Sequence, residues 1–392
     1  MSIVMIKYGE LNTKKDNRMF FIKTLATNIE DKLEGISYKL TKDRTRMFIE
    51  VDGKDLSFLN NVLSKTFGIQ EYVLVKETSL ELEDIKKEIL ALDLDSFKTF
   101  KINTRRGNKS YPYDSMELNN IFGGYVLKNT HLKVDVHNPD LLINVEIRKD
   151  HAYIYGKGEK GLGGYPAGVQ KKGIMMLSGG LDSPVAAFLA MKRGVRLEML
   201  YFESLPHTSL EAREKIFDLT DKLSSYEPGK IKVHIVNFTK MQEAIYKYCD
   251  KDYMITIMRR MMYRISERLA KRRKALVIVN GESIGQVASQ TLSSMSCINS
   301  VTNMPVIRPV ATLDKLEIID ISKKIDTYDI SIKPFIDCCT VFVPKHPVIN
   351  PSISKALSEE EKFDYEELIN DIMKEIITVD IPRKEELFSD IL

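Results

Sequence analysis

Ser178-Gly179-Gly180-Leu181-Asp182-Ser183 concentrates two glycines, two hydroxyls and a carboxylate in six residues, between the apolar stretch 174–177 and a segment opening with Pro184. That is the context of a strand turning into a helix, with Pro184 suited to the first helical position and Gly194 to the stop. Paired glycines let the backbone turn tightly and bring its N–H groups against a ligand. The helix adds free N–H groups and the positive end of its dipole. With the Ser178 and Ser183 hydroxyls as further donors, the loop is an anion cradle with room for pyrophosphate. It is not a Walker loop, because G-x-x-x-x-G-K-[ST] is absent.

Two other glycine motifs fail their context. Gly156-Lys-Gly-Glu-Lys-Gly161 fits the dinucleotide pattern, but Gly163, Gly164 and Pro166 leave no helix to follow it. Gly281-Glu-Ser-Ile-Gly285 fits a nucleophile elbow, with a strand before it and a helix expected over 286–294. Asp314 or Asp320 followed by His346 is formally a triad remainder, yet no HGGG-type oxyanion segment lies upstream.

Cys249, Cys297, Cys338 and Cys339 show no C-x-x-C spacing and the six histidines no H-E-x-x-H, so no metal site is expected. Cys249, among Tyr246, Tyr248 and Tyr253, reads as a small buried hydrophobe. Cys338-Cys339 follow Pro334 beyond the last strand–helix unit. A thiol there carries sulfur if its surroundings favour thiolate; composition alone does not separate that from two inert thiols.

The elements that must position these residues fall into three stretches. Residues 2–8, 17–33 and 38–51 read strand–helix–strand, with helix 56–65 and strand 69–75 closing a small α+β unit. Helix 80–91, strand 98–105, helix 115–128 and a strand pair at 141–147 and 151–156 form a second, basic α/β unit. After the glycine-rich stretch 156–168, strands (173–177, 195–202, 231–238, 275–280, 305–309) alternate with helices (184–193, 209–223, one or two within 239–274, 286–294, 315–325). That rhythm predicts a doubly wound parallel sheet.

At 392 residues and 44.9 kDa the chain has room for two or three domains, and 43% hydrophobic with 29% charged residues exclude a disordered chain. No apolar run approaches the ~18–20 residues of a membrane helix. Residues 1–10 carry no signal-peptide pattern, and four cysteines suit a reducing cytoplasm. Charge is divided: residues 98–172 hold thirteen basic against seven acidic, 251–274 nine against two, and 356–392 four against twelve. Both basic stretches are expected to be footprints for a polyanion.

The loop 178–183 resembles the PP-loop of adenine-nucleotide α-hydrolase-like enzymes, which cleave ATP to AMP and pyrophosphate. Gly161-Leu-Gly-Gly-Tyr-Pro-Ala-Gly, then Met176-Leu-Ser-Gly-Gly-Leu-Asp-Ser-Pro-Val-Ala, then Gly281-Glu-Ser-Ile-Gly-Gln-Val-Ala-Ser-Gln-Thr is similar to tRNA 4-thiouridine synthases (tRNA sulfurtransferases). Tyr8-Gly-Glu, Lys14, Asn17-Arg18 and Arg46-Met-Phe-Ile-Glu resemble that family's N-terminal ferredoxin-like unit. Arg105-Arg106, Lys109-Ser-Tyr-Pro, Ser115-Met-Glu and Asp135-Val-His-Asn-Pro-Asp resemble its THUMP domain.

The resemblance implies a ferredoxin-like domain over 1–55, a THUMP RNA-binding domain over 56–160, a linker over 161–172 and a PP-loop domain over 173–392. It implies that ATP, with Mg2+, adenylates O4 of tRNA uridine 8 and that persulfide sulfur then replaces the oxygen. Its nucleotide contacts are Met176, Leu177, Ser178, Gly179, Gly180, Asp182, Ser183, Tyr201, Phe202, Arg259, Gly281 and Gln290. Asp182 is its essential acid, Lys315 a charge-offsetting lysine and Cys339 its sulfur-handling cysteine. Its tRNA contacts are Lys101, Arg105, Arg106 and Lys109. Implied partners are tRNA, a cysteine desulfurase, a sulfur-carrier protein and a second copy of the chain, with no membrane. Long members add a rhodanese domain with a second persulfide cysteine and a role in thiamine thiazole synthesis. Here the expectation is a short form, with sulfur delivered to Cys339 or shared with Cys338 or Cys297. The rival readings are a non-catalytic RNA-binding protein with a vestigial loop and another PP-loop tRNA-modifying enzyme. The intact loops oppose the first; the basic residues ahead of them oppose the second.

Overall fold

The computed structural model describes residues 1–335, 338, 341, 344 and 346–383. The chain forms two compact units, Met1–Gly164 and Tyr165–Leu392.

The first unit runs β1 (Ser2–Lys7), α1 (Arg18–Glu30), β2 (Tyr38–Lys42), β3 (Arg46–Val51), α2 (Leu56–Ser64), β4 (Glu71–Thr78), α3 (Leu82–Leu90), β5 (Thr99–Arg106), α4 (Ser115–Asn129), β6 (Lys133–Val134), β7 (Leu141–Ile147), β8 (Ala152–Tyr155) and β9 (Glu159–Lys160). The strands form one sheet of order β2-β3-β1-β4-β8-β7-β5-β6 with β9 on β4. β4 joins its halves, pairing Glu71–Val75 with β1 and Lys76–Thr78 with β8. The single strand expected over 38–51 is a hairpin, because the Asp43 carboxylate accepts the Thr45 and Arg46 N–H groups and turns the chain. The glycine-rich stretch is not wholly loop either: β9 pairs with Glu71 and Tyr72. α4 starts at a reciprocal cap, Asp114 accepting from Glu117 N–H and Glu117 from Asp114 N–H.

The second unit runs β10 (Lys172–Met176), α5 (Asp182–Lys192), β11 (Arg196–Glu203), α6 (Leu210–Ser224), β12 (Ile231–Asn237), α7 (Thr239–Tyr248), α8 (Met254–Arg273), β13 (Val277–Val279), α9 (Leu292–Asn299), β14 (Val306–Ile307), α10 (Lys315–Lys324), α11 (Tyr328–Ser331), α12 (Ile353–Glu360), α13 (Tyr365–Glu375) and β15 (Ile377–Ile381). The sheet among the described residues has the order β14-β13-β10-β11-β12-β15, parallel except for β15. That antiparallel edge was not expected; the acidic C-terminal stretch folds back as two helices and a strand.

Three local expectations change. α5 starts at Asp182, so Pro184 is its third residue, still within the turn whose N–H groups lack helical partners. The helix expected over 286–294 starts later: Gly285 at φ +78° donates its N–H to the Gln290 carbonyl, residues 288–290 make a single 3-10 turn, and α9 begins at Leu292 after the Thr291 cap. The basic stretch on α8 is in large part engaged within the unit. Arg260 and Arg264 pair with Glu360, Arg268 with Glu366 and Arg273 with Glu198, while Arg272 donates to the Met373 carbonyl. No described helix is long and apolar enough to cross a membrane.

Candidate active site

β10 stands between β11 and β13, with β11 and β12 built outward on one side and β13 and β14 on the other. The loops after β10 and β13 therefore part at a topological switch point, the crevice where open α/β sheets bind ligands.

The two loops meet in van der Waals contact. A Cβ placed on Gly281 would lie 2.6 Å from the Ser183 nitrogen and 2.7 Å from its Cα, so only glycine lets them close. Ser183 shapes the first loop: its hydroxyl accepts from the Ser178 N–H and donates to the Ser178 carbonyl, both at 2.9 Å. That hydroxyl, expected to face an anion, is engaged inside the loop. Gln290 shapes the second, accepting from the Ser283 N–H at 3.3 Å.

Asp182 lies at the mouth. Its Oδ1 accepts from Lys315 Nζ at 3.0 Å and its Oδ2 from Gln286 Nε2 at 3.1 Å. Lys315 is placed by the start of α10, where Glu317 accepts from the Asp314 N–H. Two candidate catalytic residues far apart in sequence are thus one ion pair.

Beneath them Glu282, 2% exposed, binds Arg259, Arg308 Nε at 2.7 Å, the Tyr263 hydroxyl at 3.0 Å and Asn280 Nδ2 at 2.9 Å. Burial alone would push this carboxyl up, but Arg259 and Arg308 outweigh it and hold it down at about 2. Burial and Glu282 push the Tyr263 phenol up, so it stays a donor. The result is a fixed cationic floor.

Two adjoining chambers share Met176, Ser178 and Arg259. One, of about 120 Å3, is polar and reaches Asp182, Asn280, Glu282 and Gln290. The other, of about 50 Å3, is walled by Leu177, Tyr201, Phe202, Met262 and Cys338. The first suits phosphate and the second a flat base. Every expected nucleotide residue lines one or the other except Gly179 and Gly180, which form the cradle. Glu282, Arg308 and Gln286 were missed. Glu282 and Gln286 stood inside the motif 281–291, but only their cross-chain partners reveal a role.

Of the cysteines, Cys338 is 4% exposed on the apolar chamber, its carbonyl accepting from Gln242 Nε2 at 2.8 Å. Cys339 lies outside the described residues. Burial, with Glu359, pushes the Cys249 thiol up to about 12, which suits an inert core thiol. Burial also raises Cys297, 1% exposed, which opposes a sulfur-resolving role. Among the described residues no cluster of three His, Cys, Asp or Glu is arranged to hold a metal.

The first unit carries a cavity of about 750 Å3 between the β2–β3 hairpin and strands β5, β7 and β8. Arg105 and Arg106 line it with Lys42, Arg46, Arg148 and Lys149, which were not among the expected tRNA contacts. Arg46 and Arg148 share Glu146, and Arg148 also binds Asp43 at 2.5 Å. Of the other expected RNA contacts, Arg106 donates to the Tyr111 and Tyr113 carbonyls and Lys101 to the Val136 carbonyl. Lys109 is exposed on the loop after β5.

Residues 3–73 match the ThiI ferredoxin-like domain, 80–156 the THUMP domain, and 168–365 the family described as Thiamine biosynthesis protein (ThiI). The chain is 46% identical over 380 residues to a protein of Thermoanaerobacter pseudethanolicus named "Probable tRNA sulfurtransferase", covering 96% of this chain and 99% of that one. A Caldanaerobacter subterraneus protein of the same name is 47% identical over 382 residues, with the same coverage. Among solved structures, a 4-thiouridine synthetase–RNA complex with bound ATP superposes with a TM-score of 0.88 at 35% identity, covering 97% of this chain and 99% of that one. A Pyrococcus horikoshii Ot3 protein superposes with a TM-score of 0.66 at 25% identity, covering 83% of this chain and 100% of that one. With three family domains in order around an intact PP-loop and near-full-length relatives of one name, the chain belongs to the ThiI family of tRNA sulfurtransferases.

Proposed function

We propose that the chain is an ATP-dependent tRNA sulfurtransferase that adenylates O4 of uridine 8 and replaces that oxygen with persulfide sulfur, giving 4-thiouridine. One observation carries this: the two nucleotide loops closed on each other at Gly281 and Ser183, in a chain alignable over 97% with an ATP-bound 4-thiouridine synthetase–RNA complex.

A carbonyl oxygen is a poor leaving group and adenylate a good one, so activation splits one hard step into two. Uracil O4 attacks the α-phosphorus as N3 gives up its proton, and the bond to the β-phosphate breaks. The departing pyrophosphate meets the backbone N–H groups of 178–183 and the start of α5, donors already aimed where charge develops. Arg259, held by Glu282, and Lys315, held by Asp182, supply fixed positive charge. Mg2+ arriving with ATP would offset phosphate charge. Asp182, a carboxylate 19% exposed on the polar chamber, would be an oxygen ligand for it, sharing oxygens that accept from Lys315 and Gln286.

In the second step the terminal sulfur of a cysteine persulfide attacks C4 and AMP leaves with the former O4. A thiol then cleaves the S–S bond, supplying two electrons and leaving C4=S, with N3 reprotonated and a disulfide as oxidised product. Cys339 is the proposed carrier, charged by a cysteine desulfurase; Cys338 beside it faces the apolar chamber. The basic cavity of the first unit supports tRNA as the substrate.

The test is nucleoside mass spectrometry of unmodified tRNA incubated with the protein, ATP, a cysteine desulfurase and cysteine. The expected product is 4-thiouridine at position 8; sulfur at another position, or thiolation without ATP, contradicts the reading.

A further inference from the structure

We propose that Gln286 is a positioning residue for adenylation, fixing the plane in which Asp182 presents its carboxylate at the mouth of the phosphate cradle. This rests on the functional reading above.

Asp182 opens α5, and the torsion that turns an aspartate carboxylate is broad, so a single partner leaves it free to swing. Lys315 is a poor sole anchor, since its ammonium rides on a flexible stem and its side chain is 48% exposed. Here the two oxygens have separate donors. Lys315 Nζ reaches Oδ1 at 3.0 Å and Gln286 Nε2 reaches Oδ2 at 3.1 Å. The donors come from different segments, the start of α10 and the loop after β13, so the carboxylate is gripped from both sides of the mouth. Fixing its plane also fixes where the Lys315 ammonium stands.

The loop is braced to hold the amide in place. Gly285 N–H donates to the Gln290 carbonyl at 2.8 Å and Gln290 N–H to the Val287 carbonyl at 2.9 Å. Gln286 N–H donates to the Ser283 carbonyl at 3.3 Å, and Ser283 N–H to Gln290 Oε1 at 3.3 Å. From this ring of bonds the Gln286 side chain leaves its own loop and crosses to α5. A neutral donor suits the position: a second cation would compete with Lys315 for the carboxylate, whereas an amide turns it without drawing off the lysine's partner. Gln286 is exposed and lines neither nucleotide chamber, so it acts through Asp182, which does line the polar one. Its loss should lower adenylation, because a group about 1 Å out of place loses up to about a hundredfold in rate.

Gln286→Met keeps the length of the side chain and removes its donor. The test measures kcat/KM for tRNA-dependent pyrophosphate release with and without this substitution, in the wild-type chain and in Asp182→Ala, with tRNA affinity followed by filter binding. The expected pattern is about a tenfold loss in the wild-type background and less than about twofold in Asp182→Ala, where the carboxylate to be positioned is gone. Affinity for tRNA is expected to stay within about twofold throughout. A loss of equal size in both backgrounds, the mark of a merely structural role in the loop, overturns the proposal. So does a wild-type-background rate within about twofold of the parent, or tRNA affinity falling in step with the rate. Should Asp182→Ala release too little pyrophosphate to compare, Gln286→Asn decides: it keeps the amide one methylene short of Asp182 and must lose as much as Gln286→Met, and a wild-type rate there overturns the proposal equally. If the wild-type chain itself releases no pyrophosphate with ATP and tRNA, the functional reading has failed.

Discussion

Gly281 and Asp182 carry the site in different ways, one by having no side chain and one by its charge. Adding a Cβ at 281 drives it to 2.6 Å from the Ser183 backbone, so Gly281→Ala must open the cradle. The expected outcome is at least about a tenfold rise in KM for ATP with tRNA affinity unchanged, measured by pyrophosphate release and filter binding. Asp182→Ala leaves Lys315 without its carboxylate and is expected to lower adenylation by about a hundredfold or more, also with tRNA binding retained. Joint loss of binding would make Asp182 structural. Glu282 gives a pH signature: its carboxyl is lowered from 4.5 to about 2, so its stabilisation is complete above the unfolded value and is lost as pH falls through the folded one. Between about pH 5 and pH 3 this amounts to about 2 kcal/mol, and urea unfolding of Glu282→Gln should show a correspondingly smaller acid loss. Asp182 and Lys315 were legible through their motifs. Gln286 and Arg308 were not, because their meaning lies in hydrogen bonds that only the folded chain closes.

Periodicity marked most helices and strands, since each buries one face; it missed features set by single polar contacts. The Asp43 turn splitting 38–51 and the Gly285–Gln290 loop are of that kind. A charge count also overstated α8, several of whose arginines pair with carboxylates of α12 and α13. Opposite charges distant in sequence can neutralise one another, and a charge count along the chain is blind to that. Arg260 and Glu360 are each 1% exposed, so removing the carboxylate leaves a buried guanidinium without its counter-ion. Glu360→Ala is expected to destabilise the second unit by about 3–5 kcal/mol in chemical denaturation. A loss below about 1 kcal/mol would mean that water reaches the pair.

At the scale of the whole molecule, the switch point unites the nucleotide loops in the second unit, and the basic cavity belongs to the first. The log–log salt slope of tRNA binding should therefore respond to Arg105→Ala by about 0.7–0.9, one phosphate contact's share, and hardly to Arg268→Ala on α8, whose charge is paired with Glu366. Equal responses would restore α8 as an RNA face. The claim on which everything rests is adenylation at O4. Its most direct measurement uses tRNA carrying 18O at O4 of uridine 8, incubated with ATP and the sulfur source, followed by mass spectrometry of the AMP. Transfer of one 18O atom into AMP for each 4-thiouridine formed is the predicted result; unlabelled AMP accompanying 4-thiouridine would contradict it.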